Sequence, residues 1–146
     1  MSEKSDKKNV SASIKQKLLN HARQSNLDFN ALLIRFTMER LLYRLSISPY
    51  SEQFYLKGAM LFVMWENTAH RPTKDLDLLF IPQHDSDQLV KTFQQIAMLP
   101  NIHDGILIDP ASVKAEQIRE ENTYGGLRIK LICELGTIKI PLQIDV

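Results

Sequence analysis

The chain has 146 residues, of which 44% are apolar and 24% charged, and this suits one globular domain able to bury its own core. A formal net charge of +1 excludes an overall attraction to nucleic acid, so binding such a partner requires a local patch. The single Cys133 excludes an internal disulfide, and the charged N-terminus and the lack of a long apolar run predict a cytoplasmic protein with no membrane segment.

Two helices are predicted in the first third of the chain. Ser11 or Ser13 is the expected N-cap of the first helix, which ends near residue 24. Asp28 is the expected N-cap of the second helix, over 29–46, where apolar side chains recur at steps of three and four residues. A Ser-Pro pair after this helix predicts its end.

The middle of the chain alternates strands and helices. The pattern predicts a strand or its approach over 53–57, a mostly buried helix over 58–66, a loop over 67–73, a strand over 75–81, and a helix from Asp85 or Ser86 to about Met98.

The C-terminal part is predicted to form an antiparallel hairpin. Apolar residues occupy alternate positions of 127–132 and of 138–146, which gives each strand one core face, and a tight link joins them. Pro141 favours an edge or bulge position in the second strand. Residues 106–109 indicate another short strand, whereas 114–121 fit either an exposed edge strand or a short helix.

These elements predict an α/β or α+β fold, in which a mixed sheet is flanked by helices. Helices come first in the chain and the antiparallel hairpin comes last. We expect a flexible tail at residues 1–9 and one domain over 10–146.

An acidic pair at the start of a predicted strand is the first indication of chemistry. Asp75 and Asp77 are separated by one residue, so they share one face of the strand, while the apolar residues between and after them share the other. Two carboxylates on a rigid element suit Mg²⁺, with Mn²⁺ as an alternative. Asp145, on the polar face of the last strand, is the candidate third ligand and proton acceptor if the two strands are neighbours.

Basic and glycine residues around this strand suit a triphosphate. Lys57 and Gly58 form a turn before the predicted helix 58–66, and the N-terminal amides of a helix attract anions. Arg71 and Lys74 add positive charge near the acidic pair.

Each of these features alone has an ordinary structural interpretation. An acidic pair is common on protein surfaces, a Lys-Gly pair often forms a simple turn, and single basic residues are usually solvated. Asp104 and Asp109 are interpreted as turn residues. The combination of the acidic pair, the turn and a later aspartate favours a functional site.

The same residues resemble the nucleotidyltransferase family of AbiEii/AbiGii-type toxins, within the DNA polymerase beta-like superfamily. That family shows a Lys-Gly turn followed by R-x-[ST]-x-D-[ILF]-D, which here is Lys57-Gly58 and then R-P-T-K-D-L-D over 71–77. The helical lead-in before the motif and the blocks at 104–105, 124–128 and 142–145 also resemble the family. The resemblance covers residues 10–146.

The resemblance implies a nucleotidyltransferase-like fold and metal-dependent transfer of a nucleoside monophosphate from a nucleoside triphosphate to an acceptor. It implies that Asp75, Asp77 and Asp145 bind metal, and that the basic residues and glycine of the motif serve the triphosphate. Family members are commonly toxins of bacterial toxin–antitoxin pairs, and some act on tRNA. A tRNA acceptor and a cognate antitoxin are therefore the expected partners.

Two departures from the family pattern leave alternatives open. Ala59 stands where the superfamily often has serine, so no hydroxyl at this position contacts a phosphate. Relatives are longer and place a helical half after the third carboxylate, which we expect this chain to lack. A truncated, catalytically inactive module that binds a nucleotide or a partner, and a transferase acting on a small molecule such as an antibiotic, are the competing hypotheses.

Overall fold

The computed structural model describes residues 3–57, 75–80, 85–118 and 126–146; for 3–8, 55–57, 75–80 and 118 it describes the backbone only. The helices within these ranges are α1 (Glu3–Ser25), α2 (Phe29–Ile47) and α3 (Ser86–Ala97). The strands are β1 (Phe54–Lys57), β2 (Asp75–Phe80), β3 (Ile106–Ile108), β4 (Lys114–Ile118), β5 (Gly126–Leu135) and β6 (Ile138–Asp145). The predicted combination of helices with a mixed sheet and a C-terminal antiparallel hairpin is confirmed.

Side-chain caps fix the starts of the second and third helices. The Asp28 carboxylate accepts a hydrogen bond from the Ala31 N–H at 2.9 Å, and the Asp85 carboxylate accepts one from the Gln88 N–H at 2.8 Å. Each carboxylate accepts a hydrogen bond from an amide that has no partner inside the helix, and its negative charge interacts favourably with the positive end of the helix dipole. Both predicted caps are confirmed.

The first helix starts earlier than predicted. It begins at Glu3, so residues 3–9, which were expected in a tail, continue the helix without a break. Glutamate and lysine are good helix formers, and no proline or glycine interrupts the stretch. Neither Ser11 nor Ser13 is the cap, because both lie inside the helix. The Ser11 hydroxyl donates to the Gly105 carbonyl at 3.2 Å and ties α1 to the loop before β3. The domain boundary at residue 10 stays a prediction.

The described strands form one mixed sheet in the order β1-β2-β6-β5-β3, and β4 also pairs with β5. Strand β2 runs antiparallel to β1 and parallel to β6, whereas β6, β3 and β4 all run antiparallel to β5. The ambiguous segment 114–121 is therefore a strand over Lys114–Ile118, and β5 is its only partner among the described strands.

The predicted edge or bulge position of Pro141 is wrong, because Pro141 lies in an interior strand and in continuous register with β5. Its partner on β5 is Ile132, whose carbonyl accepts from the Asp109 N–H and whose N–H donates to Ser112, both on the side away from β6. Pro141 thus sits where β5 and β6 exchange no hydrogen bond, and the described pairing with β2 begins only at Gln143. The missing N–H therefore removes no bond from the ladders between described residues at this position.

Helices α2 and α3 lie against one face of the sheet, and α1 packs against α2. That face carries Ile129, Leu131, Ile140, Leu142 and Ile144, each at most 3% exposed. Helices α2 and α3 cover it with a continuous apolar cluster, which includes Leu33, Met38, Leu41, Leu45, Leu89, Phe93 and Ile96. The rings of Phe54 and Phe93 meet edge to face with centroids 5.8 Å apart, which joins β1 to α3.

The other face of the hairpin carries polar and charged side chains. Arg128 and Lys130 on β5, and Gln143 and Asp145 on β6, alternate with the buried positions and are partly or largely exposed. Strand alternation therefore directs the candidate carboxylate Asp145 away from the core. Within the described ranges, no helix combines the length and the apolar character required to cross a bilayer.

Candidate functional site

A row of charged residues crosses five neighbouring strands at one level of the sheet. Lys57 is the register partner of Asp77, Asp77 of Asp145, Asp145 of Arg128, and Arg128 of Glu116. Register partners on neighbouring strands are about 5 Å apart and occupy the same face of a sheet. The row therefore places two acidic positions side by side and puts a basic position on each side of them.

The row next to it is less charged but continues the same face. Asp75 is the register partner of Gln143, Gln143 of Lys130, and Lys130 of Lys114. The ammonium group of Lys130 lies 2.8 Å from the Glu116 carboxylate, and both side chains are about half exposed. An exposed pair of this kind adds little stability, so these groups remain available to solvent and ligands.

The pairing of β2 with β6 is the structural condition on which the three-carboxylate hypothesis depends. These two strands run parallel and are hydrogen-bonded neighbours, with Asp75 to Asp77 beside Gln143 to Asp145. The start of β2 and the end of β6 thus meet, although 67 positions separate Asp77 from Asp145 in the chain's numbering. The sequence hypothesis required the Asp75 strand and the last strand to be neighbours, and they are.

Asp145 is held by a two-pronged ion pair. The Arg128 Nε donates to Oδ1 of Asp145 at 2.9 Å, and Nη2 of the same guanidinium donates to Oδ2 at 3.2 Å. The side chains are 32% and 26% exposed, so the pair is in contact with solvent. A bidentate fork fixes the orientation of a carboxylate as well as its position.

The backbone around Asp145 is equally well fixed. Ile144 and Ile129, the register partners on the core side, are both fully buried. One residue beyond Asp145, the Val146 N–H donates to the Leu127 carbonyl at 2.8 Å, and the Leu127 N–H donates back to the Val146 carbonyl at 3.0 Å. The carboxylate is therefore presented by a paired strand whose opposite face is anchored in the core.

The other predicted site residues are described less completely. Lys57, Asp75 and Asp77 have described backbone positions in β1 and β2, as given above. Gly58, Arg71 and Lys74 lie outside the described residues, as do the predicted helix 58–66 and loop 67–73. Their assignment to the triphosphate stays a prediction.

The chemistry of the acidic row fits a divalent cation. Two adjacent carboxylate positions repel each other, and a hard cation that takes oxygen ligands relieves this repulsion. Among the side chains that the structure describes, no group of three or more His, Cys, Asp or Glu is placed to hold a metal ion. That set includes Asp145 but excludes Asp75 and Asp77, so the ligand assignment also stays a prediction.

Arg128 was not predicted as a site residue, although the sequence contains a signal for it. Strands β5 and β6 are joined by the two residues Gly136 and Thr137, and Leu135 pairs with Ile138. Counting outward from this turn makes Arg128 the partner of Asp145. The short link of a hairpin therefore identifies this pair from the amino-acid sequence alone.

Asp104 has a structural role and is more than the turn residue predicted. Its carboxylate accepts from Arg40 Nε at 2.7 Å, from Arg44 Nη2 at 2.9 Å and from the Ile106 N–H at 2.9 Å. Arg44 also donates to the Ile106 carbonyl at 2.7 Å. This buried cluster fastens α2 to the start of β3. Asp109 is a turn residue, as predicted, and its carboxylate accepts from the Ala111 N–H at the start of a single 3-10 turn.

We call the face of the sheet that carries the partly or largely exposed side chains of Arg128, Lys130, Gln143 and Asp145 the open face. A mixed sheet with helices on one face and a basic–acidic–acidic–basic row on its open face matches the class of protein expected from the motif, a nucleotidyltransferase domain. A family model described as nucleotidyl transferase AbiEii toxin of type IV toxin–antitoxin systems matches residues 40–146. The chain belongs to this family. A search of curated proteins gave no match. The family is one of nucleotidyltransferases that act as toxins, and this implies a nucleotide substrate and a cognate antitoxin.

Proposed function

We propose that this chain transfers a nucleoside monophosphate from a nucleoside triphosphate to an acceptor hydroxyl, with pyrophosphate as the leaving group. The observation that carries the proposal is the register of β2 and β6, which makes Asp77 and Asp145 direct neighbours in a chain of the AbiEii family. Asp75, Asp77 and Asp145 would hold Mg²⁺ or Mn²⁺. Such ions neutralise the developing charge on the attacking and leaving oxygens of an in-line displacement.

The protein groups have separate tasks in this proposal. Lys57 and Gly58, with Arg71 and Lys74, bind and orient the triphosphate. The oxygen of the acceptor hydroxyl bonds to the α-phosphorus, and the bond from the α-phosphorus to pyrophosphate breaks. The Asp145 carboxylate accepts the proton that this hydroxyl loses. Arg128 keeps Asp145 pointing out of the open face, where an acceptor can reach it.

We propose a nucleic acid, and specifically a tRNA end, as the acceptor. The row beside Asp145 contains Lys130 and Lys114 as register partners on the open face, and Arg128 lies at the level of Asp145. Clustered basic side chains next to a reaction centre provide the local phosphate attraction that the net charge of +1 does not. The protein partner in this proposal is the cognate antitoxin implied by the family.

Transfer of label from each of the four radiolabelled nucleoside triphosphates, with Mg²⁺, to total tRNA or to protein tests the proposal. Asp77→Asn should lower transfer by about a thousandfold, because it removes a charged ligand without changing shape. Asp109→Asn is the matched control, since this carboxylate caps an exposed turn and should leave the rate unchanged. Full transfer by Asp77→Asn would eliminate the acidic row as the site.

A relocation variant tests whether the register matters. Position 143 is on the same face as position 145 but beside Asp75, about 6.6 Å along the strand. The double variant Asp145→Asn with Gln143→Asp keeps the number of carboxylates and should remain inactive.

Nucleotide binding without transfer by the wild-type protein would support the inactive-module alternative. Labelling of a small molecule in place of tRNA would support the antibiotic-type transferase.

A further inference from the structure

The Arg128–Asp145 fork occupies the oxygens that a metal ion would need. A carboxylate has two oxygens, and here each already accepts a hydrogen bond from the same guanidinium, at 2.9 and 3.2 Å. The lone pairs that remain point away from the fork, so an ion held between Asp77 and Asp145 must share the carboxylate with a positive charge.

We propose that Arg128 is a positioning residue for the third carboxylate, and that one arm of its fork detaches when Asp145 takes a divalent cation. This inference rests on the proposed function, because it concerns the same site. The fork keeps Asp145 oriented in the metal-free protein. It also makes metal binding weaker than the carboxylates alone would allow.

Detachment is feasible because the pair is at the surface. Arg128 and Asp145 are 32% and 26% exposed, so a released guanidinium arm is solvated and costs little. The released arm would remain on the open face, at the level of the reacting groups. There it can bind a phosphate oxygen of the nucleotide or the acceptor, for which a guanidinium fork is well suited.

Removal of the positive charge should tighten metal binding. A divalent ion and a guanidinium about 5 Å apart repel each other by an amount that corresponds to roughly a tenfold change in affinity in water. The Kd of the Arg128→Gln protein for Mn²⁺ should therefore be roughly tenfold lower than that of the wild type. Its rate of nucleotide transfer should nevertheless fall, because Asp145 is no longer held in position. If Arg128 had a merely structural role, its substitution would not raise the affinity for Mn²⁺ while lowering the rate of transfer.

Lys130→Gln provides the matched control. It removes one positive charge from the same strand and the same face, but Lys130 is the register partner of Gln143 and pairs with Glu116. Its larger separation from Asp145 and its exposure allow solvent to screen the effect, so the Kd should change by less than about threefold.

The experiment is a calorimetric titration of the full chain with Mn²⁺ alone, followed by transfer assays on the same preparations. Wild-type binding with an equal or higher Kd in Arg128→Gln would overturn this inference and leave the proposed function intact. No Mn²⁺ binding by any variant would overturn the proposed metal site, and the competition with it.

A metal-free double-mutant cycle tests the pair independently. Thermal unfolding of Arg128→Gln, Asp145→Asn and the double variant should be non-additive, with the double variant unfolding roughly 2 °C higher than the sum of the single losses predicts. Additive losses would show that the fork is absent in solution, and Arg128 would then not position Asp145.

Discussion

The buried cluster around Asp104 makes the strongest stability prediction. Asp104 and Arg44 side chains are only 8% and 5% exposed, and one carboxylate serves both Arg40 and Arg44. Asp104→Asn keeps the shape but removes the charge, and its amide nitrogen would face a guanidinium donor. The Arg44 charge would then be buried without a counter-ion. Nη1 of Arg44 already has no acceptor among the described atoms, so no alternative partner is at hand.

Loss of one partner from a buried ion pair costs about 3–5 kcal/mol. A chain of 146 residues loses about 3 °C of Tm for each kcal/mol, so Asp104→Asn should unfold roughly 9–15 °C below the wild type. Arg40 contributes less to this loss, because it is 29% exposed and can be solvated. Calorimetry gives the Tm, and urea unfolding gives the free energy.

Two variants make this test specific. Glu39→Gln breaks a partly exposed pair with Arg35 on the same helix, at i and i+4, and should change stability by less than about 0.5 kcal/mol. Asp104→Asn combined with Arg44→Met should be more stable than Asp104→Asn alone, because the unpaired charge is gone. A Tm loss for Asp104→Asn no larger than that of Glu39→Gln would refute the assignment of the cluster as a buried ion network.

Two further predictions concern the packing around β5. Gly105→Ala should destabilise the folded protein by about 2 kcal/mol and Gly136→Ala by about 1 kcal/mol. Both glycines have a positive φ, which strains an alanine. A Cβ at Gly105 would also lie 3.3 Å from atoms of Leu135 and Ser11, whereas the nearest atom to a Cβ at Gly136 would be 3.8 Å away. Equal losses in urea unfolding would contradict the close approach of α1. Burial raises the pKa of the Cys133 thiol from 9.0 to about 12, so a disulfide reagent at pH 8 should leave it unmodified until the chain is unfolded. The folded state favours the neutral thiol, so this stabilisation is complete below pH 9 and is lost between pH 9 and 12. Between pH 9 and 12 the free energy of unfolding of the wild type should fall by up to about 1.4 kcal/mol per pH unit more than that of Cys133→Ala. Parallel curves of unfolding free energy against pH for the two proteins would disprove this prediction.

Local patterns in the sequence were sufficient for most of the secondary structure. Asp28 and Asp85 precede stretches with helical periodicity, and each forms the side-chain cap that this position favours. The hairpin was predictable because alternation and a short turn define both strands and their register. In each case the deciding interaction lies within a few residues or across one tight turn.

Features that depend on distant contacts were not predictable in the same way. The parallel pairing of β2 with β6 joins segments far apart in the chain, and the sequence supplied it only as a condition of the site hypothesis. Asp104 looks like a turn residue because its partners, Arg40 and Arg44, lie on a helix that comes 60 and more positions earlier. The interior position of Pro141 depends on where a third strand begins to pair, which local pattern does not reveal.

The apolar core behind the candidate site fixes the positions of its charged residues. A shift of the hairpin by one residue would turn Asp145 toward the helices and bring Ile144, now fully buried, to the open face. Exposing an isoleucine of this kind and burying a carboxylate would each cost several times the thermal energy. Ile129 and Ile144 therefore exclude the one-residue shift, and the two-residue turn at Gly136 and Thr137 sets the register in which Asp145 lies between Asp77 and Arg128. Substitutions at these two isoleucines should accordingly disturb the site even though neither side chain faces it.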